Sequence, residues 1–200
     1  ELAAAADTVR AAGAEALPLP ADVTDAAAVE AAFDAAERAL GPLDLVVNNA
    51  GAGAEPAPLW EYDPDEWWRI QDVNVRGVFL GTRAAMRRMV PRGRGRVVNV
   101  TSRTGHVAVA YASAYSTSKT AVTRLTEIAA VEGAPHGVRV FALEPGTVRT
   151  AMTQTLIDSA GAARWLPWYR GIFAAGDDVP PEEAAALLVR IARGDADALA

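Results

Sequence analysis

Cysteine is absent from this 200-residue chain. Disulfides, thiolate metal sites and a cysteine nucleophile are therefore excluded. Histidine is almost absent too: His106 and His136 are the only two, so no metal centre is expected. Although 51% of residues are hydrophobic, no apolar run approaches the ~18 residues of a membrane span. The formal charge of −6 argues against broad nucleic-acid binding. The start, Glu1-Leu2-Ala3, has neither signal-peptide nor transit-peptide character, and it lacks an initiator Met, so further residues are expected upstream. Lysine is the scarcest charged residue. Of 19 basic residues only Lys119 is lysine, and a lysine kept against such a bias toward arginine is informative.

What is present fits one globular α/β domain spanning residues 1–200. The Ala-rich stretch 1–12 ends at Gly13 as a helix would. Ala16 to Pro20 reads as a short extended run, and Asp25 can cap a helix to about Leu40. Leu43 to Val47 reads as a strand buried on both faces. A helical pattern runs from about Glu66 to Met89, a strand from Arg96 to Val100, a helix from about Ala114 to Val131, and a strand from Val138 to Leu143. Residues 150–175 are Trp-rich and read as irregular, and Pro181 opens a last helix. Strands alternating with helices imply a doubly wound, Rossmann-like parallel sheet.

Ligands of such sheets bind beyond the carboxyl ends of the strands. Those ends carry Asp22-Val23, Asn48-Asn49-Ala50-Gly51, Thr101-Ser102 and Pro145-Gly146. The sharpest signal is Tyr115-Ser116-Thr117-Ser118-Lys119. Residues i and i+4 share a helix face, so a cation would stand beside a phenol and favour its ionised form. With four tyrosines in the chain, chance would place one there in only ~2% of random arrangements. Ser102, thirteen residues before Tyr115, could donate to a substrate oxygen on which charge develops. Asn74 sits inside a helical pattern that it does not suit, which suggests a kink and a held water.

Asn48 to Gly51, Asn74, Ser102, the Tyr115/Lys119 pair and Pro145 to Thr150 resemble, in order and spacing, the motifs of the short-chain dehydrogenase/reductase family. The resemblance implies hydride transfer between NAD or NADP and an alcohol or carbonyl of a small molecule. It implies Tyr115 as general acid or base, Ser102 as the group polarising the substrate oxygen, Lys119 on the nicotinamide ribose, and Asn74 in a proton relay. It further implies cofactor contacts from Asp22, Val23, Asn49, Ala50, Gly51, Pro145, Gly146, Val148 and Thr150. The family's opening glycine-rich TGxxxGxG turn and final strand have no counterpart here, so a domain truncated at both ends is expected. The family strand order, 3-2-1-4-5-6-7, would put two missing strands between Leu17 and Leu45. Those two runs should then lie ~14 Å apart or pair directly. Met152, Leu156, Trp165, Leu166, Trp168, Tyr169 and Phe173 would make an apolar flap and favour a hydrophobic substrate. A cytoplasmic homodimer or homotetramer is implied, built on the helices near 72–90 and 114–132. Arg83, Arg87 and Arg88 read as a solvated face. Two alternatives stay open: a 3-oxoacyl-carrier-protein reductase with Arg103 and Arg149 as docking residues, or a non-catalytic fragment that only associates with related subunits.

Overall fold

The computed structural model describes residues 2–200. Three strands, β1 (Leu45–Asn48), β2 (Gly95–Val100) and β3 (Val138–Leu143), form a parallel sheet in that order. Leu45 to Asn48 pair with Arg96 to Asn99, and Gly95 to Val100 with Val138 to Leu143. The chain crosses from β1 to β2 through α3 (Pro64–Gln71) and α4 (Gly77–Arg92), and from β2 to β3 through α5 (Ser113–Gly133).

Side chains of a strand alternate between the two faces of its sheet. Val97, Val138 and Val140 point to one face, where Ala85 and Met89 of α4 and Ala129 of α5 cover them. Val98, Phe141 and Leu143 point to the other, against Ile191 of the last helix, Pro181–Arg193, and Ala196 beyond it. Helices on both faces are the doubly wound arrangement expected from the sequence. A further helix, α2 (Ala26–Leu40), packs Val29 and Phe33 on α4. Of the arginines read as a solvated face, Arg83 and Arg87 stay exposed while pairing with Glu30, and Arg88 is instead largely buried on Glu30 and Asp34; Arg92, one turn on, bonds Glu37. Acids three or four residues apart on one helix match bases at similar spacing on the other.

Three expectations are corrected. The run Ala16 to Pro20 pairs with no strand; Pro18 and Pro20 both lack the N–H that a ladder needs. Direct pairing with β1 is thereby ruled out. All four residues of β1 are only half-buried, because it lies at the sheet edge. Residues 150–175 are not irregular: they fold as α6 (Ala151–Asp158), α7 (Ala160–Trp165) and α8 (Pro167–Ala175). The α6 start is a capping box in which Thr150 Oγ1 accepts from Thr153 N–H and Thr153 Oγ1 from Thr150 N–H. Among the described residues no helix is long and apolar enough to cross a membrane.

A polar chain fastens the sheet to the helical layer of α4 and α5. Asn48 Nδ2 donates to Asn99 Oδ1 (2.8 Å) and Thr82 Oγ1 (3.2 Å), and Asn99 Nδ2 donates to Thr126 Oγ1 (2.9 Å). It links β1, β2, α4 and α5. A Cβ at Gly81 would lie 2.1 Å from Asn48 Oδ1. Gly81→Ala is therefore expected to destabilise the chain by about 1–3 kcal/mol, read as a fall in urea midpoint at constant m-value. Gly171→Ala, in open space on α8, is expected to leave that midpoint unchanged or raised.

Candidate active site

The π-turn Asp72–Arg76 joins α3 to α4. It is the kink expected at Asn74, whose side chain is fully buried. Asn74 Oδ1 accepts from Ala52 N–H (2.7 Å), while Nδ2 donates to the Ala52 carbonyl (3.1 Å) and to Ser118 Oγ (2.9 Å). One amide thus clamps the loop after β1 to the start of α5. Both its hydrogens are committed, which leaves only a lone pair of Oδ1 for the water the sequence suggested. Ser118 Oγ in turn donates to the Tyr115 carbonyl (2.7 Å).

Lys119 lies on α5 with 5% of its surface exposed. Its Nζ donates to the Val100 carbonyl at the end of β2 (2.9 Å) and lies 5.5 Å from the Tyr115 ring centroid. Burial lowers its pKa to about 8. A Cβ at Gly51 would stand 3.9 Å from Nζ and 3.4 Å from Asn74 Oδ1. An ammonium with two unused N–H donors beside that bare backbone suits sugar hydroxyls, so the residues present fit a nicotinamide ribose.

Ser102 lies beside the Tyr115 hydroxyl. Burial pushes the phenol above its ordinary value, and Ser102 offsets this in part. This corrects the expected depression of the phenol by Lys119. The ammonium is turned to the Val100 carbonyl and is not among the groups that shift the phenol.

Of the remaining predicted cofactor contacts, those at 49–51 and 145–150 follow β1 and β3, whereas Asp22 and Val23 follow a run that joins no strand. Thr101 N–H donates to the Leu143 carbonyl (2.8 Å), which sets Ser102 beside the Pro145 turn. Gly146 has φ +78, and a Cβ there would meet Val179 at 2.6 Å. Val148 bridges Val179, whose N–H donates to the Thr147 carbonyl. Asn49 and Ala50 are exposed. Val23 leans on Gly77 at the start of α4, where a Cβ would meet its Cγ2 at 2.9 Å. The Asp22 carboxylate accepts from Thr24 N–H and Oγ1 (both 2.8 Å), and those bonds hold its pKa below the ordinary value.

The flap helices close over the same loops. Met152 lies where a Gly53 Cβ would touch its Cγ at 3.0 Å. Glu55 Oε1 accepts from Gly161 N–H (2.8 Å). Trp165 stacks on Tyr111 with centroids 4.6 Å apart, and Tyr169 meets Phe173 at 5.6 Å. Leu166 is buried, whereas Trp168 is 55% exposed. Arg149 bonds Asp178 (3.3 Å) and covers the Phe173 ring at 4.8 Å, so it is not a free docking cation. Sequence reasoning missed Ser118, Asn99, Thr82 and Thr126. Only Asn99, an amide inside a valine-rich strand, carried a signal.

A match to the short chain dehydrogenase family model covers residues 1–160. The chain is 39% identical over 173 residues to the 3-alpha-(or 20-beta)-hydroxysteroid dehydrogenase of Mycobacterium bovis, covering 86% of this chain and 62% of the relative. It superposes on gluconate 5-dehydrogenase of Burkholderia cenocepacia in complex with NADP and tartrate, with TM-score 0.83, 31% identity, and 98% and 75% of the two chains covered. It likewise matches NAD+-bound xylitol dehydrogenase, with TM-score 0.87, 29% identity, and 98% and 80% covered. The chain spans only 50% to 62% of the length of several curated relatives that it matches.

The buried lysine yields a stability prediction. Its folded pKa, about 8, lies below the 10.5 of an ordinary lysine, so between those values the unfolded chain binds more protons and stability rises with pH. The burial cost is fully present below pH 8 and relieved toward pH 10.5. Lys119→Met is expected to raise stability at pH 7 by about 1–3 kcal/mol. The gain in Tm should shrink as pH rises from 8 to 10; a gain independent of pH contradicts the assignment.

Proposed function

This chain belongs to the short-chain dehydrogenase family, and from that membership we propose that it contributes the catalytic part of an NAD- or NADP-dependent oxidoreductase acting on an alcohol or carbonyl. The carrying observation is the convergence of Tyr115, Ser102 and Lys119 at the carboxyl end of β2.

A bound nicotinamide supplies the hydride acceptor for alcohol oxidation, or the donor for carbonyl reduction. Lys119 and the backbone at Asn49, Ala50 and Gly51 hold the ribose side of that cofactor. Pro145, Gly146, Val148 and Thr150 flank its reactive ring, and Asp22 and Val23 meet the adenine end. Tyr115 Oη takes the proton of an alcohol oxygen in oxidation and returns it in reduction. Ser102 donates to the same oxygen and stabilises charge developing there. A phenol is protonated at neutral pH and burial raises this one further, so Tyr115 rests as the acid for reduction. Asn74 fixes both the loop and α5, and proton exchange with solvent passes along its Oδ1 side.

The aromatic flap built from Trp165, Tyr169 and Phe173 against Tyr111 supports a hydrophobic substrate, in keeping with the steroid named for the Mycobacterium relative. Commitment of Arg149 to Asp178 disfavours docking of an acidic carrier protein. The chain acts as one domain over residues 1–200. Assembly in the cytoplasm as a homodimer or homotetramer fits the exposed Phe79 on α4 and Ile128 and Val131 on α5.

Two measurements test the reading. NADH or NADPH is expected to quench the fluorescence of the five tryptophans; silence toward both favours an association role without catalysis. With a panel of hydroxysteroids, cyclic alcohols and sugar acids, Tyr115→Phe is expected to cut turnover by about 10²–10⁴-fold with cofactor affinity retained. Lys119→Ala should weaken cofactor binding as well. Oxidation by the native chain is expected to speed up about tenfold per pH unit on its acid limb.

A further inference from the structure

We infer that Thr104 is a positioning residue that fixes the direction of the Ser102 hydroxyl proton. The inference rests on the proposed roles of Ser102 and Tyr115. Ser102 is the N-cap of a single 3₁₀ turn, Arg103–Gly105, and its Oγ accepts from Thr104 N–H at 3.3 Å. Thr104 Oγ1 donates to the same oxygen at 3.2 Å. A serine hydroxyl has two lone pairs and one proton. The cap alone occupies one lone pair, through a long bond, and leaves the proton a choice of directions. With the threonine hydroxyl filling the second, the proton has one way left to point, toward the Tyr115 hydroxyl and the substrate oxygen beside it.

The threonine hydroxyl makes no other hydrogen bond among the described residues, so Ser102 is its sole partner. Hydrogen bonds in series polarise one another. Two donors on Ser102 Oγ make its own proton a better donor, which favours negative charge on the phenol oxygen. The groups that bear on Tyr115 are few: Lys119, 5.5 Å from the ring, Tyr169 of the flap, and Ser102 itself. A change confined to Thr104 Oγ1 therefore reaches the phenol through Ser102.

The test reads the phenol directly and needs no turnover. The protein is labelled with tyrosine carrying carbon-13 at Cζ, and the Tyr115 resonance is identified by its loss in Tyr115→Phe. Ser102→Ala sets the full effect, an upward shift of the Tyr115 titration midpoint. Thr104→Val, which keeps the backbone cap, is expected to shift the midpoint upward by about 10–30% of that amount. Thr104→Ala should do the same, and Thr104→Ser should restore the native midpoint. An unchanged or lowered midpoint in Thr104→Val and Thr104→Ala overturns the inference, since it means that Ser102 donates to Thr104. So does a Thr104→Ser midpoint matching that of Thr104→Val, because the methyl would then be what matters. In the turnover assay Thr104→Val should lower kcat about two- to tenfold, the worth of one hydrogen bond, with KM unchanged. If Tyr115→Phe leaves turnover intact while the titration behaves as stated, it is the proposed reaction that fails and the hydroxyl geometry that stands.

Discussion

The buried ammonium of Lys119 is the constraint around which the site is built. A charge removed from water demands partners or loses its proton. The chain provides one partner, the Val100 carbonyl at the end of β2, and an aromatic ring on the preceding turn. That single bond fixes α5 against the strand end and so sets where the Tyr115 hydroxyl emerges. The arrangement lowers the stability of the free chain, the usual condition of groups kept for binding and chemistry. The same burial that lowers the lysine raises the phenol. The two members of the pair are thereby driven apart in proton affinity, and the ammonium becomes the more acidic of the two.

Two asparagines do the fastening. A parallel sheet stops at its strand ends without hairpins, so the loops there must be held by side chains. An amide can donate and accept at once. Asn74 uses this to hold both backbone groups of Ala52 and the hydroxyl of Ser118. Asn99 does it for Asn48, Thr82 and Thr126. Because the clamp at Ala52 also holds α5 through Ser118, the loop that carries Gly51 and the helix that carries Lys119 are registered by one residue. A carboxylate at either position would lose the donor half of that exchange.

The flap is fixed at several places: Met152 at Gly53, Gly161 on Glu55, Trp165 on Tyr111, and Arg149 with Asp178. Tyr111 has φ +65, a costly backbone for a bulky residue. It lies four residues before Tyr115 and directly under Trp165. The strain sits where the flap meets the loop leading into α5, and backbone strain is commonly stored at such junctions.

The sequence by itself determined the alternation of strands and helices, the small and polar residues at the strand ends, and the Tyr115/Lys119 pair. These follow from period, turn residues and i, i+4 spacing, all local in the chain. It also marked Asn74 as misplaced, because a mid-helix asparagine conflicts with local propensity. Only the tertiary structure decided which groups face which. It committed both amide hydrogens of Asn74, turned the ammonium to Val100, paired the α4 arginines with acids of α2, and ordered the flap into helices. It also left the run at Leu17 outside the sheet. Each outcome depends on desolvation or on partners tens of residues away, and neither quantity is written in the spacing of residues along the chain.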